Sequence, residues 1–353
     1  MSKATHHELD PFTTEIIKEA LNAIGDEMFV SLQRTSQSPI IYEVLDYCCG
    51  ITDERGQLVA QGNGVGGFLG TMAFAVQSAL AKFGPEGFVD VDIVVTNDPY
   101  SGGGTHRSDV SLVMPIFAEG ELVGFSANKA HWTEVGGKDP GSWTTDSVDI
   151  WQEGLQFPCV KLFHAGVPNQ SVLDMIEANV RTPEMTLGDV WAQVASCRLG
   201  ALRYRELCER HGVETVRTAV RALLDYGDVM TRRELAKLPN GVYTAEDWID
   251  DDGVSSDPIY CRVTVTVTDD EMRCDFTGTA PQTRGPVNCT ATGLDSAVRM
   301  VFKALTDPHL PANEGCFRAL KIICPEGTVF TAKRPAPVST YWDSMIFAAD
   351  LVW

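Results

Sequence analysis

Hydrophobic period predicts a helix at the start of the chain. Asp10-Pro11 supplies a cap and a first-turn proline, and Ile16, Ile17, Ala20, Leu21, Ile24, Met28 and Leu32 then recur at helical spacing. "YCCGITDERGQLVAQG" reads as two short strands around the turn Asp53-Glu54-Arg55-Gly56, and "GTMAFAVQSALAKFG" as a second helix stopped by Gly84 and Pro85. "VDIVVTNDPY" is a short β-branched run, hence a buried strand, leading into the glycine-rich Ser101–Gly104. "DVSLVMPIF" and "ELVGFSANKA" follow as the arms of a hairpin with "AEGE" at its turn.

From Ser171 to about Lys237 the period becomes helical for three segments, closing at Pro239-Asn240-Gly241. Beyond them "IYCRVTVTVTDDEMRCDFTG" alternates Val263, Val265 and Val267 with polar residues and turns at Asp269-Asp270, a hairpin with one wet face. "STYWDSMIFAADLVW" is an amphipathic helix that stops at Trp353 without a cap or a polar tail, so the expectation is a chain cut short or continued on another polypeptide. Helices grouped over 171–237 between sets of hairpins predict an α+β fold of mixed helices and antiparallel β-hairpins. A soft boundary near Leu238 separates an α+β region 1–238 from a β-rich region 239–353.

Composition narrows the class. The chain has 353 residues, enough for about two domains. It carries 28 basic against 48 acidic side chains, a formal charge of −20 that repels nucleic acid and anionic membrane surfaces. No apolar run approaches the ~20 residues of a membrane span, and the N-terminus has no apolar core of a signal peptide. Ten scattered cysteines without a C-x-x-C point to reduced, buried thiols and a cytoplasmic protein.

The hairpin carries the candidate chemistry. If Ala118 pairs with Glu121, partner numbers sum to 239 and Asp109 faces Ala130. One residue of bulge changes the sum to 240, and Asp109 then faces His131. Either register leaves Asp109 and His131 at the same end of the hairpin, and His106 can fold back over them from the glycine-rich loop. Two imidazoles and a carboxylate suit Zn, Mn or Fe as a divalent ion, with a coordination position left open. The plainer reading is solvated loop histidines, since H-x-x-D is a short pattern. Asp46, at the start of a strand, and Glu134, three residues past His131, are further carboxylates that could join the site. A turn residue and an exposed loop acid are their plain alternatives. No G-x-x-x-x-G-K-[ST] is present to hold ATP, and no G-x-S-x-G to present a serine nucleophile.

The succession "DPFTTEIIKEAL", "QRTSQSPII", "DERGQLVAQ", "LGTMAFAV", "NDPYSGGGTHRSDVSLVMPIF", "ANKAHWTEVGG", "EGLQFPCVKL", "NVRTPEMTLGDVWAQVAS", "DFTGTAPQTRGPVN" and "NEGCFR" resembles the hydantoinase B / oxoprolinase family over nearly the whole chain. The resemblance implies a B-type subunit of ATP-dependent hydantoinases, lactamases and acetone or acetophenone carboxylases. In that family a hydantoinase A-type ATPase partner binds ATP and phosphorylates the carbonyl oxygen of the substrate. The B-type subunit carries a divalent metal that acts on the product of that step. The family motif maps onto His106, Asp109 and His131 as metal ligands, Asp46 as a fourth ligand or general base, and Glu134 as the acid after the second histidine. Phe68 stands where relatives often have histidine, Leu45 replaces a common arginine, and Glu134 a common aspartate. "RPAPVSTYWDSM" replaces a glycine-rich segment, and the family's own C-terminal region is absent. The expected function is the metal-bearing subunit of a cyclic-amide hydrolase in a hetero-oligomer acting on a hydantoin, lactam or 5-oxoproline. The alternatives are a ketone carboxylase subunit and a non-catalytic structural subunit.

Overall fold

The computed structural model describes residues 10–62, 64–68 and 70–353. Helix α1 (Pro11–Thr35) starts at Asp10, whose carboxylate accepts from the Phe12 and Thr13 amides, and it buries Ile17, Leu21, Ile24, Met28 and Leu32. A short turn α2 (Pro39–Tyr42) leads into strands β1 (Tyr47–Thr52) and β2 (Leu58–Gln61), then helix α3 (Thr71–Phe83). Strands β3 (Ile93–Thr96), β4 (Asp109–Ala118), β5 (Glu121–His131), β6 (Val160–His164) and β7 (Val167–Pro168) complete a seven-stranded antiparallel sheet in the order β2-β1-β5-β4-β3-β6-β7.

Both faces of this sheet are covered. Cys49, Ile51, Val110, Leu112, Met114 and Ile116 share a core with α1 and with α5 (Pro183–His211), which follows α4 (Gln170–Asn179) and precedes α6 (Val213–Leu235). Cys48, Val94, Val113, Phe125 and Ala127 face the other way and pack against α3. Double coverage explains why "DVSLVMPIF" is apolar throughout instead of alternating.

The hairpin resolves the two registers left open by the sequence, and it uses both. Ala118 pairs with Glu121 and Phe117 with Leu122 near the turn; a bulge then intervenes, and Ile116 pairs with Gly124. From there the sum of 240 persists to the pair Asp109–His131. Gly124 suits the bulge because a Cβ there would lie 2.4 Å from the Thr52 carbonyl oxygen on β1.

The remainder is built on a four-stranded sheet. Strands β8 (Gly241–Ile249), β9 (Ile259–Val267) and β10 (Met272–Asp275), helix α7 (Ala291–Thr306), strand β11 (Leu320–Ile323) and helix α8 (Tyr341–Val352) form it, in strand order β11-β10-β9-β8. β9 alternates buried and half-buried positions as its valine pattern predicts. Pairing is antiparallel except between β10 and β11, which run parallel across the α7 crossover. β8 was not anticipated because its residues are largely exposed on both faces, leaving no apolar period to read. α7 holds Leu294, Ala297, Val298, Val301 and Phe302 at helical spacing, a signal the sequence reading passed over. Among the described residues no helix is long and apolar enough to cross a membrane. All ten cysteines are unpaired, nine of them buried.

Candidate metal centre

The site lies at one end of the large sheet, where three strands put side chains on the face that α3 covers farther in. Asp46 immediately precedes β1, and its carbonyl accepts from the His131 amide at 3.0 Å; His131 ends β5 and pairs with Asp109, the first residue of β4. Asp46, His131 and Asp109 thus form a row across neighbouring strands. His106 comes from the Gly-rich loop. That loop can approach β3 only without side chains, since a Cβ on Gly103 would fall 2.1 Å from Thr96 Oγ1.

His106 Nε2 lies 3.0 Å from Asp109 Oδ1, His131 Nδ1 lies 3.2 Å from the same oxygen, and the two ring nitrogens are 3.2 Å apart. Ligand atoms about 2.0–2.2 Å from one ion are separated from each other by about 3.0–3.4 Å, so this triangle has the dimensions of a shared coordination shell. The second atoms of His106 and Asp109 are occupied elsewhere. His106 Nδ1 lies 3.2 Å from the Ser339 carbonyl; donation there leaves Nε2 unprotonated and facing the triangle. Asp109 Oδ2 accepts from Thr105 Oγ1 and, at 3.2 Å, from the Tyr341 hydroxyl, which leaves Oδ1 to the histidines. His106, Asp109 and His131 therefore fit a divalent cation in donor type and separation, and His106 also in tautomer.

Electrostatics agrees with that arrangement. Burial pushes the Asp109 carboxyl up, but His106 and His131 outweigh it and hold the group well below the usual range. Burial pushes Asp46 up, and the Asp109 charge pushes it further, against smaller opposing effects of His131 and His106. Burial, and after it the Asp109 charge, raises the Tyr341 phenol, so it remains a donor. Exposure is graded. The side chains of His106 and Asp109 are 3% and 1% exposed, those of His131 and Asp46 13% and 28%, so solvent enters on the Asp46 side.

Of the five residues singled out by sequence, the structure brings four together. Asp46 Oδ2 stands 3.7 Å from His131 Nδ1, at the rim of the triangle. Leu45, just before it, has a φ of 63°, a strained left-handed conformation that aims the aspartate inward. Glu134 has different partners. Its buried carboxylate accepts from the Gly136 and Gly141 amides, the Ser142 hydroxyl and Arg181 Nη1 at 2.6–3.0 Å. Burial would raise its carboxyl, but these donors hold it below the usual value. The bonds of its carboxylate go to this loop and to Arg181, not to the triangle.

Sequence reading missed Thr105, Ser339 and Tyr341. Thr105 had a local signal, being four residues before Asp109; the other two reach the site from more than 230 positions away. Lys129 also escaped notice. It is fully buried one row farther into the sheet, with no hydrogen-bond partner on Nζ among the described residues and the Phe68 ring 5.5 Å away.

The model of the family described as Hydantoinase B/oxoprolinase matches residues 10–353. The chain belongs to the hydantoinase B/oxoprolinase family. It is 34% identical over 363 residues to the putative B-type subunit of a D-/L-hydantoinase from a Pseudomonas species, covering 97% of this chain and 60% of that one. Among solved structures it superposes on the ATP-dependent caprolactamase of Pseudomonas jessenii with a TM-score of 0.91 at 30% identity, over 98% of this chain and 59% of the other. An acetone carboxylase shares the fold, with a TM-score of 0.91 at 20% identity over 98% of this chain and 47% of the other. The chain spans about three fifths of the length of the hydantoinase and caprolactamase components it matches and about a quarter of the 5-oxoprolinases. The α+β fold expected for this family is the fold observed.

Proposed function

We propose that this chain is the metal-bearing subunit of an ATP-dependent cyclic-amide hydrolase, acting on a substrate whose carbonyl oxygen a hydantoinase A-type partner has phosphorylated. The observation that carries the reading is the triangle of His106 Nε2, Asp109 Oδ1 and His131 Nδ1, with sides of 3.0–3.2 Å. Similarity to a hydantoinase component and to a caprolactamase supports the choice of amide substrates.

Amides resist attack because nitrogen donates into the carbonyl; phosphorylation of the oxygen weakens that donation and makes the carbon electrophilic. Water then adds there, the ring C–N bond breaks as a proton passes to nitrogen, and the acyl phosphate left behind is hydrolysed to carboxylate and phosphate. A divalent ion at the triangle supplies Lewis acidity toward an oxygen at this carbon. The chain's own side chains hold the rest in place. Ser339 and Tyr341 fix the orientation of His106 and Asp109. Asp46, longer in its contact than the three ligands and more exposed, receives a proton from the attacking water at the open side. Leu45 keeps it aimed there.

The test is metal content by elemental mass spectrometry of the purified protein and of His106→Ala and His131→Ala. It is paired with hydrolysis of hydantoin, caprolactam and 5-oxoproline in the presence of ATP and the A-type partner. Near-stoichiometric metal lost in both variants, with ATP-dependent ring opening, is the expected result. Absence of metal after reconstitution refutes the ligand assignment. Turnover only of a ketone with bicarbonate makes the chain a carboxylase subunit instead.

A further inference from the structure

Beside His106 the site carries an aromatic wall that neither the family motif nor the ligand set requires. Trp342, half-buried, sits edge-on to His106 with ring centroids 5.7 Å apart, and Trp143 packs against Trp342 at 5.1 Å. Trp143 is 56% exposed. An exposed indole normally reflects an unconstrained loop, but this one is pinned. Ser142, just before it, has a φ of 55°, and its hydroxyl donates to Glu134 while accepting from the Val135 and Gly137 amides. The Thr144 amide, just after it, donates to Ser339 Oγ at 2.9 Å. Ser339 is the residue whose carbonyl receives His106 Nδ1–H. The segment carrying Trp143 is therefore pinned by Glu134 before it and tied to the metal site through Ser339 after it. The buried glutamate that the sequence offers as a further carboxylate for the site holds this loop instead.

Rigid, partly exposed aromatic rings beside a reactive centre offer apolar area at little cost in conformational entropy. Their faces and edges match a planar apolar ring and give nothing to a small unsubstituted one. Resting on the cyclic-amide reading above, we propose that Trp342 and Trp143 form a substituent subsite, and that the preferred substrate is a cyclic amide bearing an aryl or comparably large apolar group.

Metal-loaded protein is titrated calorimetrically with 5-phenylhydantoin and with hydantoin, using wild type, Trp342→Ala, Trp143→Ala and Trp342→Phe, with metal content measured on every sample. Wild type binds the phenyl compound more tightly than the bare ring. Each alanine variant weakens the phenyl compound about 5- to 10-fold, in line with the worth of one aromatic contact. Hydantoin affinity and metal content stay unchanged, and Trp342→Phe keeps most of the preference. Equal affinity for the two compounds in wild type, binding of neither, or a loss in the variants that is the same for both overturns the subsite. So do variants that keep the phenyl preference and lose only association with the A-type partner, which would make the wall a docking surface. Metal that binds without any phenyl preference removes the subsite and leaves the metal-centre reading intact; absent metal removes that reading itself.

Discussion

Glu153 offers a quantitative test of how the centre is held. It lies in a short turn over Ile150–Glu153, fully enclosed, and Oε1 accepts from Ser147 Oγ and the Val338 amide at 2.8 Å and from the Ser339 amide at 2.9 Å. Oε2 has no partner. Burial raises the carboxyl from 4.5 to about 7 despite those donors and the nearby Arg107. An acid whose folded value is raised binds its proton more tightly when folded, so its ionisation costs stability as pH rises from the unfolded value through the folded one. The window is 4.5 to about 7, and the gap corresponds to about 3 kcal/mol in full, of which about 2–3 kcal/mol falls between pH 5 and 8. Glu153→Gln keeps the Oε1 acceptor and removes the titration. Urea denaturation of wild type and variant at pH 5 and pH 8 isolates the effect, because every other titrating group is common to both. Wild type should lose about 2–3 kcal/mol relative to the variant on going from pH 5 to 8, whatever constant offset the amide introduces. Identical pH dependence in the two proteins would show that Glu153 is not a buried, perturbed acid and that its grip on the Ser339 segment is not as described.

Two other substitutions probe the site from opposite sides. Tyr341→Phe removes one donor to Asp109 Oδ2 and should weaken metal retention about 10-fold in competition with a chelator, leaving the far-ultraviolet dichroism unchanged; equal retention would show that the hydroxyl orients nothing. Gly103→Ala places a Cβ 2.1 Å from Thr96 Oγ1, so the loop carrying His106 must shift; a loss of about 1–3 kcal/mol in denaturation and a fall in metal content are expected, and unchanged values for both would contradict the close approach.

How far the sequence discloses this site depends on distance along the chain. The stripe from Ile17 to Leu32, the hairpin arms, the three helices after residue 170 and the β9 alternation follow from local period and appear where expected. The register of Asp109 against His131 could not follow from local period. It turns on a single bulge between Ile116 and Phe117, which depends on how closely Gly124 approaches the neighbouring strand at Thr52. Glu134 shows the opposite failure. An acid three residues past a ligand invites a catalytic reading, yet the Gly136 and Gly141 amides, Ser142 and Arg181 occupy it, and only the fold brings Arg181 to that loop.

The same logic explains why Ser339 and Tyr341 left no trace in the reading of the hairpin. The hairpin and its loop alone would leave the second oxygen of Asp109 with Thr105 as its one donor and the second nitrogen of His106 short of a partner, and an unmet buried polar group costs about 1–3 kcal/mol. Tyr341 and Ser339 meet these two needs, and Ser339 is itself held by Glu153 and by the Thr144 amide. A divalent ion held at the triangle would select for the state in which all these bonds are made, because only then are the two imidazoles and the carboxylate aimed at one point. Metal binding should therefore stabilise the α8 segment together with the hairpin. Hydrogen exchange would show protection gained at Ser339 to Tyr341 as well as at Asp109 and His131 when metal is added. Protection confined to the hairpin would mean that the C-terminal contacts are packing around the centre and do not help to build it.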